Sequence, residues 1–240
     1  MSKVLVNFIQ DRSGSMQNVW DETLNGFKQF VKELRDNAAK DGVEYIFSLT
    51  TFDTTIDTPL KAVPIADVDV DILAKFGPRG STALYDAVGA TIKNTEDDRH
   101  GAEKIIVVVV TDGQENSSRE WTKDKLHSSI EAKLNAGDWT FTYLGTQPET
   151  WADATALGVS VGSVAAYTPT MAAQAYSATS HAVRSLSASS RTASRSLMSD
   201  YVSPTMARAA GMTVKHKTEP PKPLMPKMTR QTPKDTRRWK

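Results

Sequence analysis

Residues 104–113 read KIIVVVVTDG, and this stretch decides the fold class. The six residues from Ile105 to Val110 are all apolar and β-branched, with no alternation between apolar and polar positions. A strand that helices cover on both faces of a parallel sheet has this pattern. A polar loop that contains Asp112 and Gly113 follows at once. The stretch therefore predicts a central strand of an α/β sheet, with polar groups just beyond its carboxyl end.

Further strands are predicted on both sides of this stretch. Each is a short run rich in β-branched and aromatic residues that ends at polar or turn-forming residues. Pro59 lies within the third run and places that strand at an edge of the sheet, since proline cannot donate to a neighbouring strand. The predicted strands are 4–9, 43–52, 56–63, 104–110, 139–144 and 159–164.

Helices are predicted between the strands, because apolar residues recur there at three- and four-residue steps. The predicted helices are 19–34, 67–76, 83–94, 121–134 and 148–157, and Tyr176, Val183 and Leu186 mark a further helix that caps the domain. Alternating strands and helices predict an α/β fold with a doubly wound, mostly parallel sheet and helices on both faces. Ligands of such sheets bind at the carboxyl ends of the strands.

The composition of the 240-residue chain excludes several classes of protein. The absence of cysteine excludes disulfides, thiolate catalysis and zinc–thiolate sites. The longest apolar run is the six residues of 105–110, far short of the roughly 20 that cross a bilayer, and the N-terminus has no signal-peptide core. We therefore expect a cytoplasmic protein with no membrane partner.

Charge divides the chain into an acidic body and a basic tail. Residues 182–240 carry 13 Lys and Arg against three acidic residues, whereas the remainder carries 16 basic and 25 acidic residues. We predict one folded domain over residues 1–187, an Ala/Ser-rich connecting segment over 188–214, and a flexible Pro-rich basic tail over 215–240. Such a tail can contact nucleic acid or an acidic protein surface.

The first polar loop, DRSGS at 11–15, has the composition of a cation site. Asp11, Ser13 and Ser15 alternate, so an extended loop can turn all three side chains toward one point, and Gly14 allows the tight curvature. Thr82 in a Gly-rich loop and Asp112 after the central strand add a hydroxyl and a carboxylate.

An all-oxygen set suits one hard cation such as Mg²⁺ or Mn²⁺ and disfavours zinc or copper. A metal held mainly by neutral oxygens stays electrophilic. We therefore expect it to accept an Asp or Glu carboxylate from a protein partner.

Asp11 to Ser15, Thr82 within GSTALYDA and Asp112 within TDGQEN resemble the three-part metal-ion-dependent adhesion site of the von Willebrand factor type A family. The resemblance covers roughly residues 3–165, and all five ligand positions match. It implies a parallel sheet with one antiparallel edge strand, a Mg²⁺-type ion above it, and binding rather than catalysis. Because it lacks a signal peptide, the chain is expected to be more similar to the intracellular bacterial or bacteriophage members of the family than to the extracellular ones.

Alternative interpretations remain open for several of these residues. Asp11 and Ser13 can cap the following helix, and Asp112-Gly113 can be an ordinary turn. An Asp after the first strand is also where haloacid dehalogenase-like phosphatases keep their nucleophile, but the second Asp that they need is Ser13 here.

Asp86, the four histidines and an acidic stretch are further titratable residues outside the five predicted ligands. Asp86 is interpreted as a solvated helix residue or a neighbour of the metal site, and the histidines as surface residues. The acidic stretch is interpreted as a solvated face rather than a calcium site, and it comprises Asp53, Asp57, Asp67, Asp69 and Asp71.

Overall fold

A six-stranded sheet forms the centre of the molecule. The computed structural model describes residues 2–146, 154, 156–159 and 164–188. The strands lie in the order β3-β2-β1-β4-β5-β6; β3 pairs antiparallel with β2, and all other pairs are parallel. The strands are β1 (Ser2–Asp11), β2 (Val43–Phe52), β3 (Ile56–Pro64), β4 (Lys104–Thr111), β5 (Trp139–Gly145) and β6 (Val164–Ala166). The mostly parallel sheet and the edge position of β3 are confirmed.

Helices cover both faces of this sheet and give the molecule two hydrophobic cores. The helices are α1 (Trp20–Asp41), α2 (Leu84–Asp97), α3 (Lys123–Ala136) and α4 (Ala172–Ala188). Helices α1 and α4 bury one face of the sheet, and α2 and α3 bury the other. The apolar run of β4 follows from this arrangement, because its alternate residues enter opposite cores.

An aromatic cluster fills the core beneath α1 and α4, and we call it the aromatic core. It consists of Phe8, Phe27, Phe30, Phe47 and Tyr176, with ring centroids 5.1–6.5 Å apart. Tyr176 of α4 lies directly on Gly26 of α1, where an added Cβ would come within 2.4 Å of the Tyr176 ring. The two helices therefore approach closely because residue 26 has no side chain.

Helix α4 runs from the carboxyl ends of the parallel strands to their amino ends. Its last turn is tied to the amino end of β4, since the Lys104 ammonium donates to the carbonyls of Leu186 (2.7 Å) and Ser187 (2.9 Å). Arg184 of the same helix pairs with Asp41 at the end of α1. Helix α4 therefore ends, at Ala188, at the pole opposite the carboxyl ends of the strands.

The predicted helix over 67–76 is wrong. Two 3-10 turns, Ile65–Asp67 and Ile72–Lys75, occupy this region instead. The Arg35 guanidinium donates to the carbonyls of Ile65 and Val68. The Asp69 carboxylate accepts from the backbone N–H of Asp71. These bonds satisfy backbone groups locally and so compete with a regular helix.

The last predicted strand lies later than expected. Strand β6 begins at Val164, where the predicted strand ends, and Val159 is buried but lies outside it. Residues 160–163 and most of the predicted helix over 148–157 are outside the described residues, as are the segments 189–214 and 215–240.

Within the described residues, no helix combines the length and the apolarity that crossing a membrane requires.

Candidate metal centre

Two carboxylates meet where β1 and β4 end side by side. Asp11 is the last residue of β1, Asp112 directly follows β4, and these strands pair in parallel up to Gln10 and Val110. Asp11 is fully buried, and Asp112 is only 9% exposed. The parallel sheet therefore brings together two acidic residues that are far apart in the sequence.

The two serines of the first loop connect these carboxylates. The Ser13 backbone donates to Asp11 Oδ1 at 2.6 Å, and the Ser13 and Ser15 hydroxyl oxygens are 3.1 Å apart. The Ser15 hydroxyl donates to Asp112 Oδ1 at 2.8 Å. Four of the five predicted ligand residues are thus linked by hydrogen bonds into one continuous chain.

Thr82 reaches the same place from the Gly-rich loop before α2. A Cβ added to Gly113 would lie 3.1 Å from Thr82 Oγ1 and 3.3 Å from Ser15 Oγ, so both hydroxyls face the same small glycine. Gly14 also donates its backbone N–H to the Gly80 carbonyl at 3.2 Å. All five predicted residues therefore lie at one pole, where three loops meet, and we call this place the metal centre.

The spacing of the oxygens is close to that around a small divalent cation, and it is also the spacing of ordinary hydrogen bonds. Neighbouring ligands in an octahedron with bonds of 2.0–2.1 Å are about 2.9–3.0 Å apart. The oxygen pairs of Ser13 with Ser15 and of Ser15 with Asp112 are separated by 3.1 and 2.8 Å. Among the described residues, no group of three or more His, Asp or Glu side chains is placed to hold a metal ion, so a cation here depends on hydroxyls as well.

The electrostatics of the metal centre also favour a cation. Burial raises the pKa of Asp11 to about 6, although hydrogen bonds from Thr111 and Ser13 oppose this rise, and burial likewise raises the pKa of Asp112. In the described part of the chain, neither carboxylate forms an ion pair with Lys, Arg or His. Two buried carboxylates without a counter-charge are costly, and a bound cation would supply that charge.

Thr111 belongs to the metal centre, and sequence reasoning missed it. Its hydroxyl donates to Asp11 Oδ2 at 2.6 Å and accepts from the Gly113 backbone at 3.2 Å. It therefore orients a carboxylate on one loop and the turn of another. The available signal was a hydroxyl residue at the point where the apolar run of β4 ends.

Asp86 has a structural role that neither interpretation of the sequence anticipated. Its carboxylate accepts from the backbone N–H groups of Arg119 (2.7 Å), Glu120 (3.0 Å) and Trp121 (2.7 Å). Glu115 makes the reciprocal connection, since it accepts from the Tyr85 backbone at 2.9 Å. These bonds attach the loop after β4 to the first turn of α2 and so hold Asp112 near Thr82.

A buried ion-pair cluster lies beside the metal centre, and it corrects the interpretation of Asp53. This carboxylate is 2% exposed and lies 3.2 Å from Arg12 Nε and 2.7 Å from Arg79 Nε. Burial alone would raise its pKa, but hydrogen bonds from Arg79 and Thr55 outweigh burial and hold the pKa below its usual value. Asp53 is therefore a buried anchor for the first and second loops rather than part of a solvated face.

The other acidic residues of that stretch agree with a solvated face. Asp57 is exposed and pairs with Arg12, Asp69 pairs with Lys75, and Asp67 and Asp71 are exposed as well. His181 is exposed, His100 and His127 are partly exposed, and His216 is outside the described residues.

Comparison with known proteins defines the fold class. No family model matches the sequence, and no curated protein matches it. Solved structures do match, and they show that the chain has the fold of a von Willebrand factor type A domain, with a Rossmann-like mixed sheet.

Three of these structures illustrate the likeness. The von Willebrand factor domain of the type V pili tip protein Mfa5 from Porphyromonas gingivalis is 12% identical with a TM-score of 0.63, covering 79% of this chain and 97% of that domain. The pilus adhesin SpaC from Lactobacillus rhamnosus GG is 12% identical with a TM-score of 0.61, covering 77% of this chain and 31% of SpaC. The manganese-loaded Plasmodium vivax TRAP protein is 16% identical with a TM-score of 0.52, covering 72% and 71%. Identities this low define the fold alone.

Proposed function

We propose that this chain is a non-enzymatic protein-binding module that captures its partner through one divalent cation, Mg²⁺ or Mn²⁺. The proposed ligands, directly or through water, are Asp11, Ser13, Ser15, Thr82 and Asp112. The observation that carries the proposal is the connected set of oxygens at the metal centre, which includes two buried carboxylates without a counter-charge. A similar fold in the TRAP protein holds manganese.

Each proposed ligand has a distinct task in this arrangement. Asp11, held by Thr111 and the Ser13 backbone, would supply a fixed negative oxygen to the cation. Ser15 is exposed and Asp112 is nearly buried, so they contribute at the solvent side. A cation with three neutral ligands remains a strong Lewis acid and can accept a partner's Asp or Glu carboxylate.

The surroundings of Asp11 support a binding role over phosphoryl transfer. Hydrogen bonds from the Ser13 backbone and the Thr111 hydroxyl hold the Asp11 carboxylate in place, which suits a fixed ligand. A phosphatase of the haloacid dehalogenase type also needs an acid and base two positions later, where this chain has a serine that cannot fill that role. We expect no turnover of p-nitrophenyl phosphate with Mg²⁺ present.

Titration calorimetry with Mn²⁺ tests the metal centre directly. Asp112→Asn keeps the size of the side chain and removes the charge, so we expect the affinity for Mn²⁺ to fall at least about 100-fold. Asp67→Asn is the matched control, since Asp67 is exposed and remote from the three loops. Equal Mn²⁺ affinity of the wild type and Asp112→Asn would refute the proposed ligand set.

Partner capture tests the second half of the proposal. The full chain, immobilised with Mn²⁺, is expected to retain a protein from lysate that EDTA releases and that Asp112→Asn does not retain, with mass spectrometry identifying it. Retention that is unchanged by EDTA and by this substitution would count against cation-dependent binding.

The role of the basic tail stays a separate prediction. Helix α4 ends at the pole opposite the metal centre, and the tail lies outside the described residues. Contact of residues 215–240 with nucleic acid or with an acidic surface is expected to depend strongly on salt. Retention on DNA that deletion of 215–240 abolishes would support the nucleic-acid contact. The cytoplasmic location also stays a prediction, which cell fractionation tests.

A further inference from the structure

A polar cavity of about 220 Å³ lies between α2, the sheet and the edge strand β3, and we call it the polar cavity. It is separate from the metal centre: Asn7 in its wall precedes Asp11 by four residues, about 13 Å along β1. Uncharged hydrogen-bonding side chains form most of its lining, and they include Asn7, Ser48, Thr50, Thr58, Thr91 and Thr95.

Polar residues occupy positions of the sheet where the fold favours apolar ones. Asn7 and Ser48 are register partners on β1 and β2, and they are 4% and 8% exposed. Their neighbours on the same face, Leu5, Ile9 and Ile46, belong to the hydrophobic core under α2 and α3. A covered face of a central sheet is normally apolar, so two adjacent polar residues there need partners for their hydrogen-bonding groups.

The protein satisfies these groups only in part. Asn7 Nδ2 donates to the Thr95 hydroxyl at 3.1 Å, and Ser48 Oγ accepts from the Ala62 backbone at 2.9 Å. In the part of the chain that the structure describes, Asn7 Oδ1 receives no hydrogen bond and the Ser48 hydroxyl donates none. An acceptor and a donor, both on buried residues, therefore remain available to the cavity.

An irregularity of β3 accompanies the cavity at this point. The register between β2 and β3 shifts on both sides of Leu49, and Ala62 has a left-handed backbone with φ of 52°. Its N–H consequently bonds the Ser48 side chain instead of a strand carbonyl. Among the described residues, Leu5 and the threonine methyl groups give the lining apolar surface, and hydroxyl and amide groups give it about as much polar surface.

We propose that the polar cavity binds a small, neutral, polyhydroxylated molecule of about monosaccharide size. Hydroxyl groups both donate and accept, which matches the acceptor of Asn7 and the donor of Ser48 together. An anion could accept from the Ser48 hydroxyl, but it would have no hydrogen to donate to the Asn7 side-chain oxygen. The charged lining residues are at the open side and have both signs, namely Lys61, Asp98 and His100.

The size of the cavity supports this class of ligand. Its volume equals that of roughly seven water molecules at about 30 Å³ each. It is smaller than the roughly 300–1,000 Å³ of pockets that hold drug-sized ligands. A single sugar ring or a cyclic polyol is therefore a better match than an oligosaccharide or a nucleotide.

Titration of the isotope-labelled full chain, followed by ¹H–¹⁵N correlation spectra in EDTA, tests the proposal. D-glucose, D-galactose, D-mannose and myo-inositol are added separately. We expect at least one to cause saturable shifts of the amides around residues 7, 48 and 95, with a Kd in the millimolar range or tighter. No saturable shift with any of the four, or saturable shifts elsewhere only, would overturn the proposal and leave a cavity filled by water.

A substitution at the open side separates binding from folding. Thr58 is exposed on β3, so Thr58→Phe is expected to fold normally, to fill the entrance and to weaken sugar binding at least tenfold. Asp67→Asn again serves as the control and should leave binding unchanged. Unchanged affinity of Thr58→Phe would overturn the assignment of the cavity, and stronger binding of gluconate than of glucose would overturn the neutral class. Because EDTA is present throughout, the result is independent of the metal centre.

Discussion

The metal centre and the aromatic core begin on the same strand and are built on opposite principles. Phe8 and Asp11 lie three residues apart on β1, and both are almost completely buried. Phe8 packs against four aromatic rings, whereas Asp11 is held by hydrogen bonds from Ser13 and Thr111. Burial of a phenylalanine stabilises the fold by about 1.5–3 kcal/mol, but burial of an unpaired carboxylate costs free energy. The aromatic core therefore stabilises the fold, whereas the two buried carboxylates of the metal centre cost stability.

The largest expected effect comes from a substitution in the aromatic core. Phe47→Ala removes a fully buried ring that contacts Phe8, Phe27 and Phe30. We expect the free energy of unfolding to fall by about 3–5 kcal/mol, measured by urea denaturation in EDTA. Phe47→Leu keeps much of the apolar volume and should lose clearly less. The folded Phe47→Ala protein should keep its affinity for Mn²⁺. If it lost as much affinity as Asp112→Asn, the two regions would not be separable.

An intermediate effect is expected when the hydrogen bonding of the metal centre is weakened. Thr111→Val keeps the shape of the side chain and removes the hydroxyl that orients Asp11 and Gly113. Groups that orient metal ligands typically contribute 10–100-fold to affinity, about 1.4–2.7 kcal/mol, and we expect a loss of Mn²⁺ affinity in that range by calorimetry. Thr142→Val on β5 is the matched control. Wild-type affinity of Thr111→Val would mean that Thr111 does not position Asp11.

The smallest effect concerns the polar contacts that join α4 to α1 at the margin of the aromatic core. Burial would raise the pKa of Glu33, but hydrogen bonds from Ser180 and Gln29 lower it, and the hydrogen bond from Arg184 lowers the pKa of Asp41. A carboxyl whose pKa is lowered on folding contributes stability above its unfolded pKa of about 4, and this stability is lost as the pH falls through the folded pKa.

Hydrogen exchange measures this contribution. We expect the α4 amides to lose protection below about pH 4 before the central strands do. The Glu33→Gln variant should show a smaller dependence on pH in that range. Simultaneous loss of protection in α4 and the central strands would contradict the separate contribution of these contacts.

Features that depend on one segment of the chain were predictable from the sequence, and features that depend on several segments were not. The first five strands, the mostly parallel sheet and the edge position of β3 follow from local periodicity and from proline chemistry, so they were predictable. The roles of Asp53, Asp86 and Thr111 were not, because each depends on partners from distant segments: Arg79 for Asp53, the backbone of 119–121 for Asp86, and Asp11 for Thr111. A side chain's sequence neighbours contain no information about such partners.

The sequence by itself determined the fold class and the loops in which the candidate ligands lie. The reason is physical: apolar periodicity sets which face of an element is buried, and parallel strands bring their carboxyl ends to one edge. Only the tertiary structure decided the distances between the oxygens, the ion pairs that hold the loops, and the polar cavity under α2. Those features depend on how separate elements pack. A shift of an ångström in packing decides whether two oxygens can share one cation, or whether a helix and the sheet leave a cavity between them.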